Sequence, residues 1–336
     1  MSRVLIIAEA GVNHNGDLAL ALKLVDAAAD AGADAVKFQT FKAERLVTPD
    51  ADKAAYQKEA TGAAESQFAM LKRLELDAAA HETLLARCRE RGIAFLSTPF
   101  DEQSANMLVG MGLAIIKIPS GEITNLPYLR HVGALGRRIV LSTGMCALDE
   151  VADALRVLET AGTPARNVTL LHCNTQYPTP DADANLRAIR TLAEAFPACA
   201  AGYSDHTLGI ACPIAAVALG ATVVEKHFTL DRRMEGPDHA ASLEPGELAA
   251  MVAAVRTVEA ALGHGRKEPS PSERENILVA RRYLVAARNI AEGEVYSPEN
   301  VAARRTGSGG VSPMRWEDIM GRRAPRAFAA GEKIEP

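Results

Sequence analysis

Eight short runs of β-branched and aliphatic residues, each followed by a loop and an Ala/Leu-rich stretch, constrain this chain more than any other feature. They are VLIIAEA (4–10), DAVKFQT (34–40), IAFLSTP (93–99), AIIKIPS (114–120), RIVLSTG (138–144), VTLLHC (168–173), AAGYSDH (200–206) and TVVEKHF (222–228). Near-continuous apolar character without strict alternation marks strands buried on both faces, as in a parallel sheet. The stretches between them carry helical spacing. LALALKLVDAAADAG (18–32) closes at Gly32 and VADALRVLETAG (151–162) at Gly162, a residue type that ends helices readily. Eight β/α units over roughly 260 residues match a TIM barrel in count and length. A doubly wound open sheet is the alternative. It requires a glycine-rich phosphate turn after the first strand, and neither GxGxxG nor GxxxxGKS/T occurs. The barrel is the better reading of the α/β pattern.

The second and third runs are separated by about 50 residues. Within that span residues 41–66 are polar and poorly periodic, which predicts a long loop over the barrel mouth, and long loops in compact domains are usually functional. The barrel is expected over 1–263. A Pro-, Ser- and charge-rich linker follows at 264–280 (it contains HGRKEPSPSERENI), then a small β-rich unit at 281–336 with turns at AEGE, SPEN, TGSGG and AAGE. That tail is too short for a large core and should dock on a partner, which points to a homodimer. With 48% hydrophobic and 24% charged residues, global disorder is excluded. The net charge of -5 argues against a nucleic-acid or anionic-membrane binder, so an anionic substrate has to meet a local cluster of cations. Five scattered cysteines without a CxxC pair read as reduced thiols of a cytoplasmic protein. The apolar N-terminal stretch is too brief for a signal peptide. The uncharged window Thr207–Val224 is broken by Gly209, Pro213 and Gly220 and reads as a buried helix and strand, not a membrane span.

Polar residues close nearly every run: Glu9; Lys37 and Gln39; Ser97 and Thr98; Lys117, Ser120 and Glu122; Ser142 and Thr143; His172; Ser204 and His206; Glu225, Lys226 and His227. In a TIM barrel these strand ends converge on one mouth, where active sites are built. Helix capping is an equal explanation for Ser142 and Thr143, and a structural role an equal one for His172. Neither explains charge at nearly every strand end, because charge is costly to bury unless paired or used. His206 and His227 close adjacent strands and could ligate one divalent ion, with carboxylate or water completing its sphere. Lys37 and Lys117 supply cations for a phosphorylated or carboxylated substrate, though either could instead form a Schiff base. Glu9 and Glu122 could serve as acid and base if their environments separate their pKa values. Arg304 and Arg305 beside TGSGG (306–310) form a possible reader of an anion or amide.

The ordered motifs IIAEAGVNHNG, AVKFQT, FLSTPFD, KIPSGE, LSTGM, LHCNTQYPTP, GYSDHTLG, EKHFT and EGPDH resemble those of the sialic acid synthases and their relatives the legionaminate synthases. The resemblance runs from about residue 3 to the end, where the tail is similar to that family's antifreeze-like SAF domain. It implies condensation of phosphoenolpyruvate with an open-chain N-acylated mannosamine-type sugar, release of phosphate, and dependence on Mn2+ or Mg2+. It further implies His206 and His227 as metal ligands, and Lys37, Thr98, Lys117, Ser120 and Ser204 as phosphoenolpyruvate contacts. Gln39, Tyr177 and Asp238 become sugar contacts, with Glu9 and Glu122 at the reacting centre. Arg305 matches the family arginine that reaches from the SAF domain into the partner subunit's barrel to hold the N-acyl group.

One run departs from the pattern. The sialic acid synthases read Cys-Thr-Asn-x-Tyr-Pro after strand six, whereas this chain has Cys173-Asn174-Thr175-Gln176-Tyr177, with Thr175 at the Asn position. That variant, with EGPDHAASLEP and FAMLKRLEL, resembles the legionaminate branch. It predicts that Asn174, Thr175 and Gln176 edge the sugar site, and that 2,4-diacetamido-2,4,6-trideoxymannose is preferred over N-acetylmannosamine. Two rival readings are a Schiff-base aldolase using Lys117 and a sugar- or ice-binding module without enzymatic activity.

Overall fold

The computed structural model describes residues 3–62 and 65–336. Two compact units divide the chain after Gly263. The first opens with β1 (Leu5–Gly11), α1 (Leu18–Asp30) and β2 (Ala35–Thr40), and then passes through α2 (Ala43–Leu46), α3 (Ala55–Thr61), α4 (Gln67–Arg73) and α5 (Ala78–Arg91). It continues with β3 (Ala94–Pro99), α6 (Glu102–Gly110), β4 (Ile115–Ile118), α7 (Leu126–Ala134), β5 (Arg138–Ser142), α8 (Leu148–Ala161) and β6 (Val168–Cys173). The last elements are α9 (Ala188–Ala195), β7 (Ala200–Asp205), α10 (Ala211–Ala218), β8 (Val223–His227) and α11 (Pro245–Leu262). All eight strands are parallel, in the order β3-β2-β1-β8-β7-β6-β5-β4. The end strands β3 and β4 lie side by side without a continuous ladder, so the barrel is nearly closed.

Helix ends follow local chemistry. Asp17 and Asp101 cap α1 and α6 by accepting from the backbone N–H of Ala19 and Ser104, and Gly32 and Gly162 follow α1 and α8 with positive φ. The 41–66 segment is not a bare loop: α2 and α3 form within it. Helices of four and seven residues are too short to show periodicity, and α3 begins where Gln57 folds back to accept from Ala54 N–H.

The barrel interior explains where the chemistry sits. Ile7, Ala35, Leu96, Val140, Leu171 and Val223 point inward and form one buried apolar layer. A strand has a side-chain period of two, so the next inward residues are Glu9, Lys37, Thr98, Ser142, Cys173 and Glu225. The strands are therefore apolar at the barrel base and polar at its C-terminal mouth. Gly202 belongs to this inward set by necessity, since a Cβ there would lie 2.6 Å from Leu171 Cδ2 and from the Val223 carbonyl oxygen. The outward residues, including Ile6, Val36 and Phe38, pack under the helices.

The second unit holds α12 (Arg274–Ala280), the antiparallel pair β9 (Arg282–Ala286) and β10 (Val301–Arg305), and α13 (Trp316–Ile319). Helix α12 lies in the stretch expected to be plain linker. This unit has a small core of its own around Leu284, Tyr296, Val301 and Phe328. Among the described residues no helix is long and apolar enough to cross a membrane; the window at 207–224 forms α10 and enters β8.

Candidate active site

A cavity of about 320 Å3 opens at the C-terminal ends of the barrel strands. Twelve residues expected at a site line it: Glu9, Lys37, Gln39, Thr98, Lys117, Ser120, Thr175, Tyr177, Ser204, His206, His227 and Asp238.

At its floor two lysines and two glutamates interlock. Lys37 Nζ lies 2.6 Å from Glu9 Oε2 and donates to Thr98 Oγ1 at 2.8 Å. Lys117 Nζ donates to Ser142 Oγ at 2.7 Å. Glu225 bridges the pair, with Oε2 3.7 Å from Lys37 Nζ, Oε1 3.7 Å from Lys117 Nζ, and Ser204 Oγ donating to Oε1 at 3.0 Å. The two carboxyls are held in different states. Burial pushes Glu9 up to about 7 against the pull of Lys37. Burial opposes the ionised form of Glu225 too, but Lys117 and Lys37 outweigh it and hold its pKa below the usual carboxylate value. For Lys37 burial is outweighed by Glu225 and Glu9, which keep it charged, whereas burial lowers Lys117. Separated carboxyl pKa values in one site are what acid–base chemistry needs.

Above the floor the rings of His206 and His227 lie 5.4 Å apart, and Tyr177 stands 4.0 Å from His206 between centroids. Burial lowers His206 to about 4 and, with His206 beside it, takes His227 well below the usual imidazole value. Both rings are therefore neutral at neutral pH. His206 Nδ1 meets the Asn174 carbonyl oxygen, which can only accept, so the proton is on Nδ1 and the lone pair on Nε2. His227 Nδ1 is buried without a hydrogen bond; Asp238 Oδ2 is 4.0 Å away, and burial raises the Asp238 carboxyl to about 6. Gly11 follows a bulge in β1 and adopts φ +52°, and a Cβ there would sit 3.3 Å from His227 Cε1. The opposite wall is a hydroxyl and amide cradle: Gly144 N–H donates to Ser120 Oγ at 2.9 Å, and Thr175 Cγ2 packs over Gly144.

Several expected residues fall elsewhere. Glu122 is not brought to the cavity. After Ile118 the chain turns through a 3-10 turn (Ser120–Glu122), which breaks the strand period, and Glu122 Oε2 accepts from Asn125 Nδ2 at 2.6 Å instead. Asn174 and Gln176 do not line the cavity; Asn174 folds into its own loop, accepting from Gln176 N–H. His172 points outward, donates through Nε2 to the Ala184 carbonyl and stacks on Tyr203, a structural role. Arg305 ends β10 in the second unit, exposed and without an ion pair among the described residues. Ser142 is a site residue, not a helix cap, and Glu225 joins the site too. Both follow from counting two residues on from the inward Val140 and Val223.

Lys226 and Asp205 lie behind the histidines on the outward face of β7 and β8. They pair at 2.6 Å with no exposed side-chain surface. Asp205 also accepts from Tyr203 OH and Thr207 N–H, both at 2.9 Å, and Lys226 donates to the Thr207 carbonyl. The pair thus anchors the chain on both sides of His206 and next to His227. Lys226→Met leaves Asp205 buried without its cation, and stability should fall by about 3–5 kcal/mol, read from the denaturant midpoint.

Fold and site together define a (β/α)8 barrel whose mouth sets two buried lysines, paired with two glutamates, beside two neutral imidazoles. The NeuB family model matches residues 24–267 and the SAF domain model residues 281–336. The chain belongs to the NeuB family. It is 51% identical to the N,N'-diacetyllegionaminic acid synthase of Campylobacter jejuni over 334 residues, 99% of this chain and 99% of that protein. It is 45% identical to the synthase of the same name from Legionella pneumophila, over 98% of this chain and 92% of that protein. The crystal structure of N-acetylneuraminic acid (sialic acid) synthetase from Leptospira borgpetersenii, in complex with citrate, aligns with a TM-score of 0.72 at 39% identity, covering 82% of this chain and 90% of that one.

Proposed function

We propose that this protein is a nonulosonic acid synthase, joining phosphoenolpyruvate to an open-chain N-acylated mannosamine-type sugar with release of phosphate. We further propose N,N'-diacetyllegionaminate as its product. The observation that carries the reading is the interlocked floor, where Lys37, Lys117, Glu9 and Glu225 meet within ion-pair distance beneath His206 and His227. The likeness to two diacetyllegionaminic acid synthases over nearly their whole length supports the choice of product.

The residues divide the work. Lys117, Lys37, Thr98, Ser120, Ser142 and Ser204 receive phosphoenolpyruvate, whose phosphate and carboxylate replace Glu225 as partners of the lysines. Tyr177, Gln39 and Asp238 orient the sugar so that its aldehyde carbon faces the methylene carbon of phosphoenolpyruvate, and this alignment is itself a large part of the catalysis. The new C–C bond leaves positive charge on the phosphate-bearing carbon, which adds water. The tetrahedral centre then breaks its C–O bond to phosphate and becomes a ketone, the proton of its hydroxyl leaving with the phosphate. Glu9, poised near neutrality beside Lys37, takes the proton from that water and returns one to the new hydroxyl.

A divalent ion such as Mn2+ or Mg2+ fits here. Two neutral, buried imidazoles are the chemistry of its donors, and His227 Nδ1 is otherwise an orphan. Among the described residues no cluster of three or more His, Cys, Asp or Glu surrounds that point, so substrate and water would complete the sphere. Such an ion supplies Lewis-acid polarisation of the aldehyde oxygen. Incubation with phosphoenolpyruvate and a panel of amino sugars, followed by assay of phosphate, tests the reading. Release that depends on a diacylated sugar supports it, and pyruvate trapped on Lys117 by borohydride would instead establish the Schiff-base alternative.

The proposal extends to a homodimer in which Arg305 of one chain enters its partner's barrel and binds the sugar's N-acyl group. The exposed, unpaired guanidinium supports this reading. Chains carrying Arg305→Ala and chains carrying Glu9→Ala, each inactive alone, should recover activity when mixed and allowed to exchange subunits. If exchange occurs without recovery, Arg305 does not act across the dimer.

A further inference from the structure

The cavity has two chemically distinct halves. On the β4–β6 side stand Lys117, Ser120, Ser142 and the Gly144 N–H, the half that suits an anion. The other half is built largely by the excursion between β2 and β3. There Val47, Met70, Leu71 and Leu74 present aliphatic surface, and Gln57 and Gln67 present neutral amides. Among the described residues, no Asp, Glu, Lys or Arg of α2–α4 lines it. Met70 and Leu74 are buried in a satellite cluster with Val12 and Phe41, so the wall is fixed from behind, while Val47 and Leu71 are only half-buried and keep surface facing the cavity.

A fully hydroxylated sugar meeting this wall would leave hydroxyls against aliphatic carbon, and each polar group desolvated without a partner weakens binding. A methyl group or an acyl methyl loses nothing there and gains by burial. Amide side chains, for their part, pair well with an acylamino group, as donor and acceptor at once. We infer that the α2–α4 wall is the specificity-determining surface of this enzyme, with Val47 and Leu71 reading a deoxygenated, methyl-bearing end of the sugar and Gln67 reading a second acylamino group. This rests on the proposed synthase reading and adds the residues that select the substrate. Thr175 also lines the cavity, packing over Gly144 on the anion-binding side, away from the residues to which this inference assigns selection.

The test uses the full chain with 2,4-diacetamido-2,4,6-trideoxymannose and N-acetylmannosamine, each at saturating phosphoenolpyruvate. Leu71→Asn and Val47→Thr should lower kcat/KM for the diacetamido sugar roughly tenfold or more while changing N-acetylmannosamine much less. Gln67→Leu should act in the same direction. The KM for phosphoenolpyruvate should stay within about twofold, as expected when the lysine half is untouched. A merely structural wall would instead depress both sugars and phosphoenolpyruvate together. Equal loss for the two sugars in all three variants overturns the inference and leaves the synthase reading standing. Wild-type enzyme that releases phosphate with neither sugar sinks the reading itself, and the inference with it.

Discussion

Alanine at His206 or at His227 should lower kcat/KM roughly a thousandfold or more and leave the fold intact. Each ring is buried, neutral and aimed into the same cavity. On the metal reading proposed above, removing one would withdraw half of the protein's donors to a divalent ion. Several kcal/mol of carbonyl polarisation rest on such a pair, and about 1.4 kcal/mol is a factor of ten in rate. The consequence can be read without turnover, because calorimetric titration with Mn2+ should show binding weakened far beyond a hundredfold in either variant. His172→Ala is the internal contrast. It loses a stacking partner and a hydrogen bond to Ala184, so stability should fall while metal affinity holds. Normal Mn2+ affinity in His206→Ala or His227→Ala would remove the ion from this site.

Glu9→Gln should cost about a hundred- to ten-thousandfold in kcat, the usual span for one acid–base group. The pH profile makes the expectation sharper. Burial has lifted this carboxyl to about 7, so the fraction able to accept a proton falls as pH drops through 7. Activity should therefore decline on the acid side of neutrality in the wild type, and the residual activity of Glu9→Gln should lack that limb. Glu122→Gln, whose carboxylate only joins Asn125 at the turn after β4, should keep activity within about twofold, as substitutions away from buried features do. A wild-type acid limb retained in Glu9→Gln would pass the proton role to another group, Glu225 foremost.

Strand ends were readable in the sequence because a charged residue inside an apolar run is expensive to bury, and Glu9, Lys37, Lys117 and His227 are all of that kind. Parity separated neighbours that composition could not. In Glu225-Lys226-His227 the outer two face the cavity, and the middle one lies behind the sheet on Asp205. Counting from Val223 predicts this, yet Glu225 was legible only as a strand end, and its place between the two lysines needs the neighbouring strands. Glu122 shows where the count fails, because a 3-10 turn after Ile118 rotates the chain out of the strand period. The wall of α2–α4 was least legible. Its helices are short and held by single caps such as Ser66 on α4, and what makes Val47 and Leu71 matter is the cavity they face.

On the proposed chemistry, phosphoenolpyruvate attacks the sugar aldehyde through its methylene carbon and loses phosphate by C–O cleavage in the cavity of Lys37, Lys117, Glu9 and the two histidines. Phosphoenolpyruvate carrying oxygen-18 in the bridging position, incubated with the enzyme, Mn2+ and 2,4-diacetamido-2,4,6-trideoxymannose, tests it most directly by mass spectrometry of both products. The label should leave with phosphate, one phosphate for each new keto acid, and none should be released when the sugar is omitted. Label retained in the keto acid, or phosphate released at the same rate without sugar, would contradict it.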